Sequence, residues 1–553
     1  MDERTSVGGR LKILPHVARL FALAPILAAG VWASLASKLP EPTADRQALG
    51  EVSMRFDWSE WNHFEGEPAH VVGRAVNTAM FEVPQVTFQI AALLNALLAA
   101  GVVVALAGLL RRTFALGVVG HAMALAVSGL LVCSPAFGAD WLHVERTGLF
   151  LAPLLLLTGL LLLHCDGKLW WRSTLTLLFA AIAPFCHANG MFVFLALIPA
   201  LLDASRRAGS RAAAWIVVCL VFGNVAAALS LCTVGTIALG GTGLVARLFD
   251  APLATLQQVL AVTGAPWLDV VRLTSVDEMA FGALAWLAPL VLWRIGDRSD
   301  AARRAAAPWW GCIWFGLLIP LWLLERHGAA VAPSTIRELG FGAFLLPVGL
   351  IGVVAARFGT IVLPVAAGAA FVLGIQDWHC GLEPLRVAVM RVQATETNVL
   401  LPEVHPKERP DPVLPIAAAE WTRLEQAGRV PTMLPPRAPL RIVTESPVVA
   451  RLGAMLEGDT KEARGVARSS VFGDPVQCVL VIEQKEGQDP VVLGRTRPTW
   501  HATERETTWT VVLERAPTEG AIVGAYGWRP RRDQTVALGP KFTMRDGRLT
   551  PSP

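Results

Sequence analysis

Long apolar runs without charged residues recur along this sequence and restrict it to folds that a lipid bilayer can hold. Between Arg357 and Asp377, for example, no charged residue occurs. A run of about 20 apolar residues forms a helix long enough to cross the ~30 Å hydrocarbon layer of a membrane. The chain of 553 residues is 54% hydrophobic and 17% charged, with a mean hydropathy of +0.49, so it is too apolar for a soluble protein of this length. The sequence therefore predicts a polytopic α-helical membrane protein.

The chain contains about eleven apolar runs that are candidates for membrane-crossing helices. The polar segment Cys186–Gly190 separates two short runs, so we expect two short helices that turn at a membrane surface. The first run is not expected to be a cleaved signal peptide, because Pro40 and Glu41 follow it in place of a small-residue cleavage site. The runs are Leu20–Ser37, Pro84–Leu110, Phe114–Cys133, Thr147–Leu163, Ser173–Cys186, Met191–Leu202, Ala212–Gly241, Met279–Leu292, Ala305–Leu324, Leu339–Ala356 and Thr360–Gln376.

The connections between these runs alternate in charge, and this alternation predicts the orientation of the chain. One set is rich in arginine, and the positive-inside bias assigns it to the cytoplasm together with residues 1–19. The other set is longer and richer in acids, so we assign it to the outer side. A transmembrane domain over 20–376 then leaves the C-terminal region outside. The outer loops are 38–83, 134–146, 242–278 and 325–338, and the basic connections contain Arg111, Arg112, Lys168, Arg172, Arg206, Arg207, Arg294, Arg303, Arg304 and Arg357.

The composition of the chain changes after the last apolar run. Residues 377–440 are rich in proline and predict a linker with one helix, Pro415–Gln426. Across residues 441–553, short β-prone runs alternate with turn residues, and this pattern predicts an extracytoplasmic β-sandwich-like domain. The predicted strands are Arg441–Thr444, Gln477–Glu483, Val491–Gly494, Thr508–Glu514, Ala521–Tyr526 and Thr535–Leu538. Cys380 and Cys478 both follow the last span, where an oxidising compartment would permit a disulfide; two unpaired thiols are the alternative.

Ionisable residues are concentrated in the predicted outer loops. No predicted span has Asp, Glu, Lys or Arg near its middle, whereas ion-coupled carriers usually keep such groups at mid-membrane, so coupled transport is disfavoured. The sequence has no nucleotide-binding loop and no zinc-ligand cluster, and nothing in it predicts nucleic-acid binding. A site formed by the outer loops would lie at the lipid–water boundary. Its candidate residues are Asp57, Glu82, Asp140, Glu145, Arg146, His187 and Arg337.

The layout and two short segments resemble the GT-C class of membrane glycosyltransferases. Ser134–Leu142 is similar to the polar, Trp-bearing second outer loop of many bacterial members, and Ser334–Phe341 looks like the Ser-Arg-Tyr-type start of a late span. Glu338 stands where that pattern has an aromatic residue. In architecture, the resemblance covers Leu20–Gln376. It implies a multi-pass protein of the bacterial inner membrane that takes a sugar from a polyprenyl-phosphate donor at the extracytoplasmic face.

The resemblance also implies a chemistry and a set of roles. In inverting glycosyl transfer, a carboxylate accepts a proton from the acceptor hydroxyl while cations stabilise the departing lipid phosphate. Asp57 is the preferred base, because Trp58 and Trp61 could hold its helix at the membrane surface and stack on a sugar. Glu82, directly before the second span, is the second choice. The substrate-binding candidates are Asp140, Glu145, Arg146, His187 and Arg337.

The same resemblance implies partners and limits the cofactors. The expected partners are a polyprenyl-phosphate-sugar donor, membrane lipids and an envelope glycan or protein acceptor. We expect no metal site among the candidate residues and no required cofactor, although a divalent cation would be compatible with the chemistry. Two other functions fit the sequence. One is a non-enzymatic membrane platform that displays the C-terminal domain for binding, and the other is a flippase for a lipid-linked saccharide.

Each candidate residue also has a purely structural interpretation. Asp57 could lie on the polar face of an interfacial helix whose tryptophans meet the lipid. Asp140, with Glu145 and Arg146, could form a local ion pair and helix cap. Arg337 could extend to the interface from a helix end. His187 could serve only in a turn, because no second ligand lies beside it at metal-binding spacing.

Overall fold

The computed structural model of the chain forms two compact units, one helical and one built from strands. We describe each unit by itself. The residues that the structure describes are 23–28, 88–134, 147–165, 168–207, 244–264, 275–296, 299–327, 341–372, 374–376, 378, 442–443, 451–453, 462–468, 478–485, 487–488, 490–496, 506–513, 515–529, 534–537, 541–545 and 548–551.

The first unit is helical. A 3₁₀ turn, Ala188–Gly190, joins the fourth and fifth of the helices named here. These helices are α1 (Phe88–Phe114), α2 (Val118–Val132), α3 (Thr147–His164), α4 (Leu169–Cys186), α5 (Met191–Arg207), α6 (Leu244–Asp250), α7 (Pro252–Gly264), α8 (Ser275–Ile295), α9 (Asp300–His327), α10 (Leu345–Phe358) and α11 (Val362–Gln376).

Within the described residues, five helices are long and apolar enough to cross a membrane. The shorter apolar helices α2, α10 and α11 coincide with three more of the predicted runs. The prediction of a helical membrane protein is therefore confirmed at this level, while the number of about eleven spans stays a prediction. The run Ala212–Gly241 lies outside the described residues. The five candidate spans are Ala92–Phe114, Thr147–His164, Leu169–Cys186, Glu278–Ile295 and Asp300–Glu325.

Some helices differ from the sequence prediction. α4 and α5 have 18 and 17 residues and are longer than the two short helices expected on either side of the turn. The predicted outer loop 242–278 contains two helices, α6 and α7, which the hydropathy pattern did not indicate. In α7, Gln257 and Gln258 interrupt the apolar run. Gly264 and Gly282 lie at the crossing of α7 and α8, where the absence of side chains lets the two backbones pack closely.

Helix α9 lies at the centre of the first unit. The share of its span buried inside the protein is 67%, against 28% for α4 and α8. Its glycines allow close approach, because Gly311 packs on the carbonyl of Ala196 in α5 and Gly316 packs on Leu346 in α10. The indole of Trp309 is fully buried in the same core. α9 therefore provides the surface on which α5 and α10 pack.

Contacts between α1, α3 and α4 define the directions of these helices. α1 and α3 run parallel, because Gly101 packs on Leu154, and Gly108 packs on Leu161 further along both helices. α3 and α4 run antiparallel. The start of α3 packs on the end of α4, because a Cβ added to Gly148 would overlap the carbonyl of Cys186, the last residue of α4. These helix directions are the ones expected for a chain that crosses a membrane repeatedly in alternating directions.

Helices α5 and α9 also run antiparallel. At one end the rings of Phe192 and Trp322 lie 6.4 Å apart, and at the other Arg303 Nε lies 3.7 Å from Asp203 Oδ1. We therefore distinguish two ends of this bundle. The His187 end comprises the starts of α1, α3 and α5 and the ends of α4 and α9. The Asp203 end comprises the opposite ends of the same helices.

The second unit consists of two sheets. A seven-stranded sheet has the order β1-β8-β7-β4-β5, with β9 paired to β7 and β10 paired to β9, and a three-stranded sheet has the order β2-β3-β6. β1 and β8 are parallel, and the other pairs are antiparallel. The strands are β1 (Ile442–Val443), β2 (Arg451–Gly453), β3 (Glu462–Arg468), β4 (Cys478–Gln484), β5 (Val491–Thr496), β6 (Glu506–Val512), β7 (Ile522–Arg529), β8 (Gln534–Ala537), β9 (Phe542–Arg545) and β10 (Arg548–Pro551).

The two sheets share one hydrophobic core. Val481 of β4 and Val523 of β7, from the larger sheet, cluster with Trp509 and Val511 of β6 from the smaller one. A C-terminal strand-rich unit is confirmed, and its classification as a β-sandwich stays a prediction. The sequence did not indicate β2, β3, β9 and β10, because these strands are short or rich in arginine. The predicted helix Pro415–Gln426 lies outside the described residues, as does Cys380.

Candidate functional site

Of the seven candidate residues, His187 is the one within the described part of the chain. Asp57, Glu82, Asp140, Glu145, Arg146 and Arg337 lie outside the described residues, so their roles stay predictions. The helices that carry their loops are described, however. The positions of the helix ends therefore show which loops attach to the helical unit near one another.

His187 terminates α4 and begins the turn into α5. Its backbone N–H donates to the carbonyl of Ala183 at 3.3 Å, and its own carbonyl accepts the N–H of Gly190 at 2.8 Å. The ring nitrogen Nδ1 accepts the backbone N–H of Asn189 at 3.1 Å. An imidazole that accepts at Nδ1 carries its proton, when neutral, on Nε2. The His187 ring is half-buried, and its Nδ1 stabilises the turn by accepting a hydrogen bond. A neutral His187 ring therefore donates through Nε2.

Two predicted outer loops attach at neighbouring points of the His187 end. The rings of Phe150, in the first turn of α3, and Phe341 lie 4.6 Å apart at an angle of 58°. Arg146 comes shortly before Phe150 in the sequence, and Arg337 precedes Phe341 by the same number of residues. The start of α3 and the segment that begins at Phe341 therefore lie side by side, and these two segments follow the predicted loops that carry Arg146 and Arg337.

The same end includes the attachment points of two further candidate residues. Gly148 packs on the backbone of Cys186, and this contact places the start of α3, which follows the second predicted loop, next to the end of α4 and His187. Glu82 precedes α1, whose start lies at the His187 end because α1 runs parallel to α3. The connections that carry Glu82, Arg146, His187 and Arg337 thus all join the bundle at one end.

Arg247 is a polar residue of this end that sequence analysis did not single out. Its Nη2 donates to the carbonyl of Leu324 at 2.8 Å, directly before Glu325. The last carbonyls of a helix have no partner within the helix, and an arginine can satisfy one of them. Arg247 thereby fastens α6 to the end of α9. The only signal in the sequence was an isolated arginine in an otherwise apolar segment.

Comparisons with known proteins add no family to this description. No family model, no curated protein and no solved structure matches the chain. Within the described residues, no group of three His, Cys, Asp or Glu side chains could hold a metal ion.

The Asp203 end has a different chemistry, in which basic residues dominate. Arg303 Nη2 lies 2.9 Å from Asp300 Oδ1, and its Nε faces the buried carboxylate of Asp203. Arg357, at the end of α10, is buried with its guanidinium 5.7 Å from the ring centroid of Trp310. Asp203 directly follows an apolar run, and its buried position could not be predicted from the sequence.

An apolar cavity of about 300 Å³ lies between α1, α2, α10 and α11. Among its lining side chains, only those of Ser128 and Thr360 are polar. Met123 and Pro364 line the cavity and are also exposed at the surface, so the cavity opens between α2 and α11. An opening of this kind in a membrane-crossing unit would face hydrocarbon.

Proposed function

We propose that this protein is a membrane glycosyltransferase that moves a sugar from a polyprenyl-phosphate donor to an envelope acceptor at its His187 end. The observation that carries the proposal is the common attachment of the acid- and arginine-bearing connections at that end, where the rings of Phe150 and Phe341 are in contact. Connections that carry acids and arginines and that attach at one end of apolar helices suit a substrate that has a lipid tail and a phosphate.

The proposal includes about eleven crossings, with the His187 end outside and the Asp203 end in the cytoplasm. Two features support this orientation. Arg111 and Arg112 end α1, and Arg357 ends α10, so basic residues mark one end of the bundle. The predicted loops at the opposite end contain more Asp and Glu than Lys and Arg. In this orientation the strand-rich unit is an extracytoplasmic β-sandwich.

The proposed chemistry assigns the residues as follows. Asp57 accepts the proton of the acceptor hydroxyl, with Glu82 as the alternative base. Arg337 and Arg146 bind the leaving phosphate through charge-assisted hydrogen bonds. His187 donates a hydrogen bond to the substrate from the turn between α4 and α5, and Asp140 and Glu145 orient the sugar hydroxyls. The proposed steps use no required cofactor, although a divalent cation on the phosphate is compatible with them.

The test is the release of polyprenyl phosphate by the purified full-length protein in lipid nanodiscs. A panel of polyprenyl-phosphate sugars is supplied with and without envelope extract, and lipid phosphate is measured by mass spectrometry, so the acceptor need not be known. Substitution Asp57→Asn or Glu82→Gln should lower turnover by about 10²- to 10⁴-fold if that residue is the base. Arg337→Gln should weaken donor use. Glu51→Gln, in the same predicted loop as Asp57, is the matched control.

Other outcomes would favour the other functions. Wild-type turnover in the Asp57, Glu82 and Arg337 variants would refute the site assignment. Movement of the intact donor between leaflets of liposomes, without release of lipid phosphate, would identify a flippase. Binding of envelope glycan by the full chain without either activity would support the membrane platform.

A further inference from the structure

We propose that the cleft between α2 and α11 binds one acyl chain of an anionic phospholipid, whose headgroup lies against Arg111 and Arg112. This site is separate from the proposed sugar-transfer site. It lies toward the Asp203 end, whereas the connections assigned to sugar transfer join the His187 end.

The cleft is closed at one end and open at the other. Near the end of α2, a Cβ on Gly374 would lie 3.0 Å from Leu130 Cβ, so the two helices touch there. The indole Nε1 of Trp378 donates to the carbonyl of Leu130 at 2.9 Å and fastens the same point. Toward the start of both helices the cavity separates them, and its exposed members Met123 and Pro364 lie on that side. The cleft therefore narrows away from the Asp203 end.

The lining of the cleft suits a hydrocarbon chain. Its volume of about 300 Å³ is at the lower limit of ligand pockets in general (~300–1,000 Å³). Branched and small apolar side chains form nearly all of its wall, including Val127, Ile351 and Ala367. Apolar side chains also flank its mouth, since Ile361 and Val365 are 78% and 72% exposed. A water-filled cavity would need several polar partners, which this wall does not offer.

Helix α2, which lines the cleft, is long enough to span one leaflet of a bilayer. α2 has 15 residues and therefore spans ~22 Å at 1.5 Å per residue. One leaflet contributes ~15 Å of hydrocarbon, half of the ~30 Å core. A chain entering from the Asp203 end can thus remain beside α2 for the whole depth of its own leaflet.

The positive charge of the arginines at the open end of the cleft favours an anionic headgroup. Leu106 and Leu110 of α1 line the cavity, and Arg111 and Arg112 follow them directly. Both arginines are exposed and lie in the last turn of the helix. Guanidinium groups bind phosphate through paired hydrogen bonds. A phospholipid with net negative charge keeps this attraction, whereas the choline of a zwitterionic lipid offsets it.

Photo-crosslinking on the full-length protein in nanodiscs tests the site. One probe is phosphatidylglycerol and the other is phosphatidylcholine, each with a photoactivatable group on one acyl chain, and labelled peptides are mapped by mass spectrometry. We expect labels on α2 and α11 near Met123 and Ala367, with phosphatidylglycerol labelling more strongly than phosphatidylcholine.

Matched variants separate the site from general contact with lipid. Ala367→Leu fills the cleft and should reduce labelling by roughly tenfold, because leucine displaces about two methylene groups of the chain. Ala369→Leu, on the same helix but exposed and outside the cavity, should leave labelling unchanged. Ala124→Leu fills the cleft from α2 and provides a second test if Ala367→Leu does not fold. The pair Arg111→Gln and Arg112→Gln should abolish the preference for phosphatidylglycerol, whereas Arg294→Gln should keep it.

Each contrary result overturns the inference. Equal labelling of the Ala367→Leu and Ala369→Leu variants would mean that the cleft is not the site. Absence of labelling on α2 and α11 would mean that another part of the chain fills it. Equal use of the two probes by the unsubstituted protein would remove the role of charge. Loss of labelling in millimolar inorganic phosphate would identify the arginines as a soluble-phosphate site. None of these readouts depends on sugar transfer, so failure here is distinguishable from failure of the proposed enzyme.

Discussion

The backbone of Gly352 in α10 packs against the indole of Trp309 in α9, and a Cβ added to the glycine would overlap the ring. Trp309 cannot easily move away, because it is fully buried and stacks on Phe114 with 5.9 Å between ring centroids. The absence of one side chain thus sets the distance between two central helices.

Substitution Gly352→Ala should therefore destabilise the helical unit. Forcing a methyl group into a well-packed core typically costs ~1–3 kcal/mol. Heating the detergent-solubilised protein and measuring the surviving monodisperse fraction by size exclusion should show a lower midpoint. Gly368→Ala is the control, because a Cβ there meets open space on α11. A midpoint equal to that of the control variant would contradict the close contact.

The buried carboxylate of Asp203 should make α5 depend on Arg303. Asp203 is 4% exposed, and removing the arginine leaves its charge in the core without that partner. We expect Arg303→Gln to cost ~1–3 kcal/mol, measured as a lower thermal midpoint. Asp300→Asn should change it by less than ~1 kcal/mol, because Asp300 is 74% exposed. Similar losses in the two variants would argue against the contact between helices.

Glu483 should hold the connection between β6 and β7. It is buried, and its Oε2 forms an ion pair with Arg515 Nη2 at 2.8 Å. Its Oε1 accepts the backbone N–H of Thr518 at 3.3 Å and is also bonded to the Thr518 hydroxyl. Glu483→Gln should cost ~1–3 kcal/mol and speed hydrogen exchange in β4 and β7 of the full chain by about tenfold per 1.4 kcal/mol. Arg545→Gln, on an exposed strand end, is the control. Unchanged protection in both variants would disprove the role.

Tyr526 should ionise at unusually high pH. It is the one tyrosine of the chain, and burial raises the pKa of its phenol above the ordinary 10.0. Phenolate absorbance in the full-length protein should therefore appear at higher pH than in denaturant. The stabilising contribution of the neutral phenol is present below pH ~10 and is lost as pH rises through the folded-state pKa. Tyr526→Phe should abolish the transition, and coincident curves for folded and denatured protein would show that the phenol is not buried.

The proposed orientation predicts a pattern of cysteine labelling. Ala301→Cys is at the exposed start of α9, at the Asp203 end, and Gln488→Cys is in the exposed turn between β4 and β5. In intact cells, an impermeant maleimide should modify the cysteine at 488 above the background of the unsubstituted protein and should leave that at 301 unmodified. Permeabilised cells should show both. The reverse pattern would invert the topology and move the candidate site to the cytoplasm.

The helices that sequence analysis located are those whose signal is local. Each candidate span carries its own apolar run, and membrane insertion depends mainly on the summed hydropathy of that run. β4 to β8 were indicated for a similar reason, because β-branched residues and turn residues alternate along the sequence. α7 was missed since Gln257 and Gln258 lower the hydropathy of its segment. It is held by close packing of its Gly264 on α8 and of Gly282 in α8 on the backbone of Leu260, contacts that only the folded chain provides.

For the candidate site, too, the sequence predicted the local features but not the contacts between distant residues. Residue types and charge alternation suggested which connections carry acids and arginines, and most of those residues lie outside the described part of the chain. Sequence could not indicate that Phe150 and Phe341 would meet, or that Arg247 would bind the end of α9. These contacts join residues far apart in the chain, so no local pattern encodes them.

The amino-acid sequence by itself determined that this is a mainly helical protein suited to a membrane, with a strand-rich C-terminal unit, because hydropathy and alternation are properties of short segments. Tertiary structure alone decided which helix ends lie together, where Asp203 is buried and where α2 and α11 separate into a cleft. Those features depend on how glycines, aromatic rings and ion pairs from distant segments pack against one another. The free energy of such packing depends on both segments together, so it cannot be predicted from the sequence of either one.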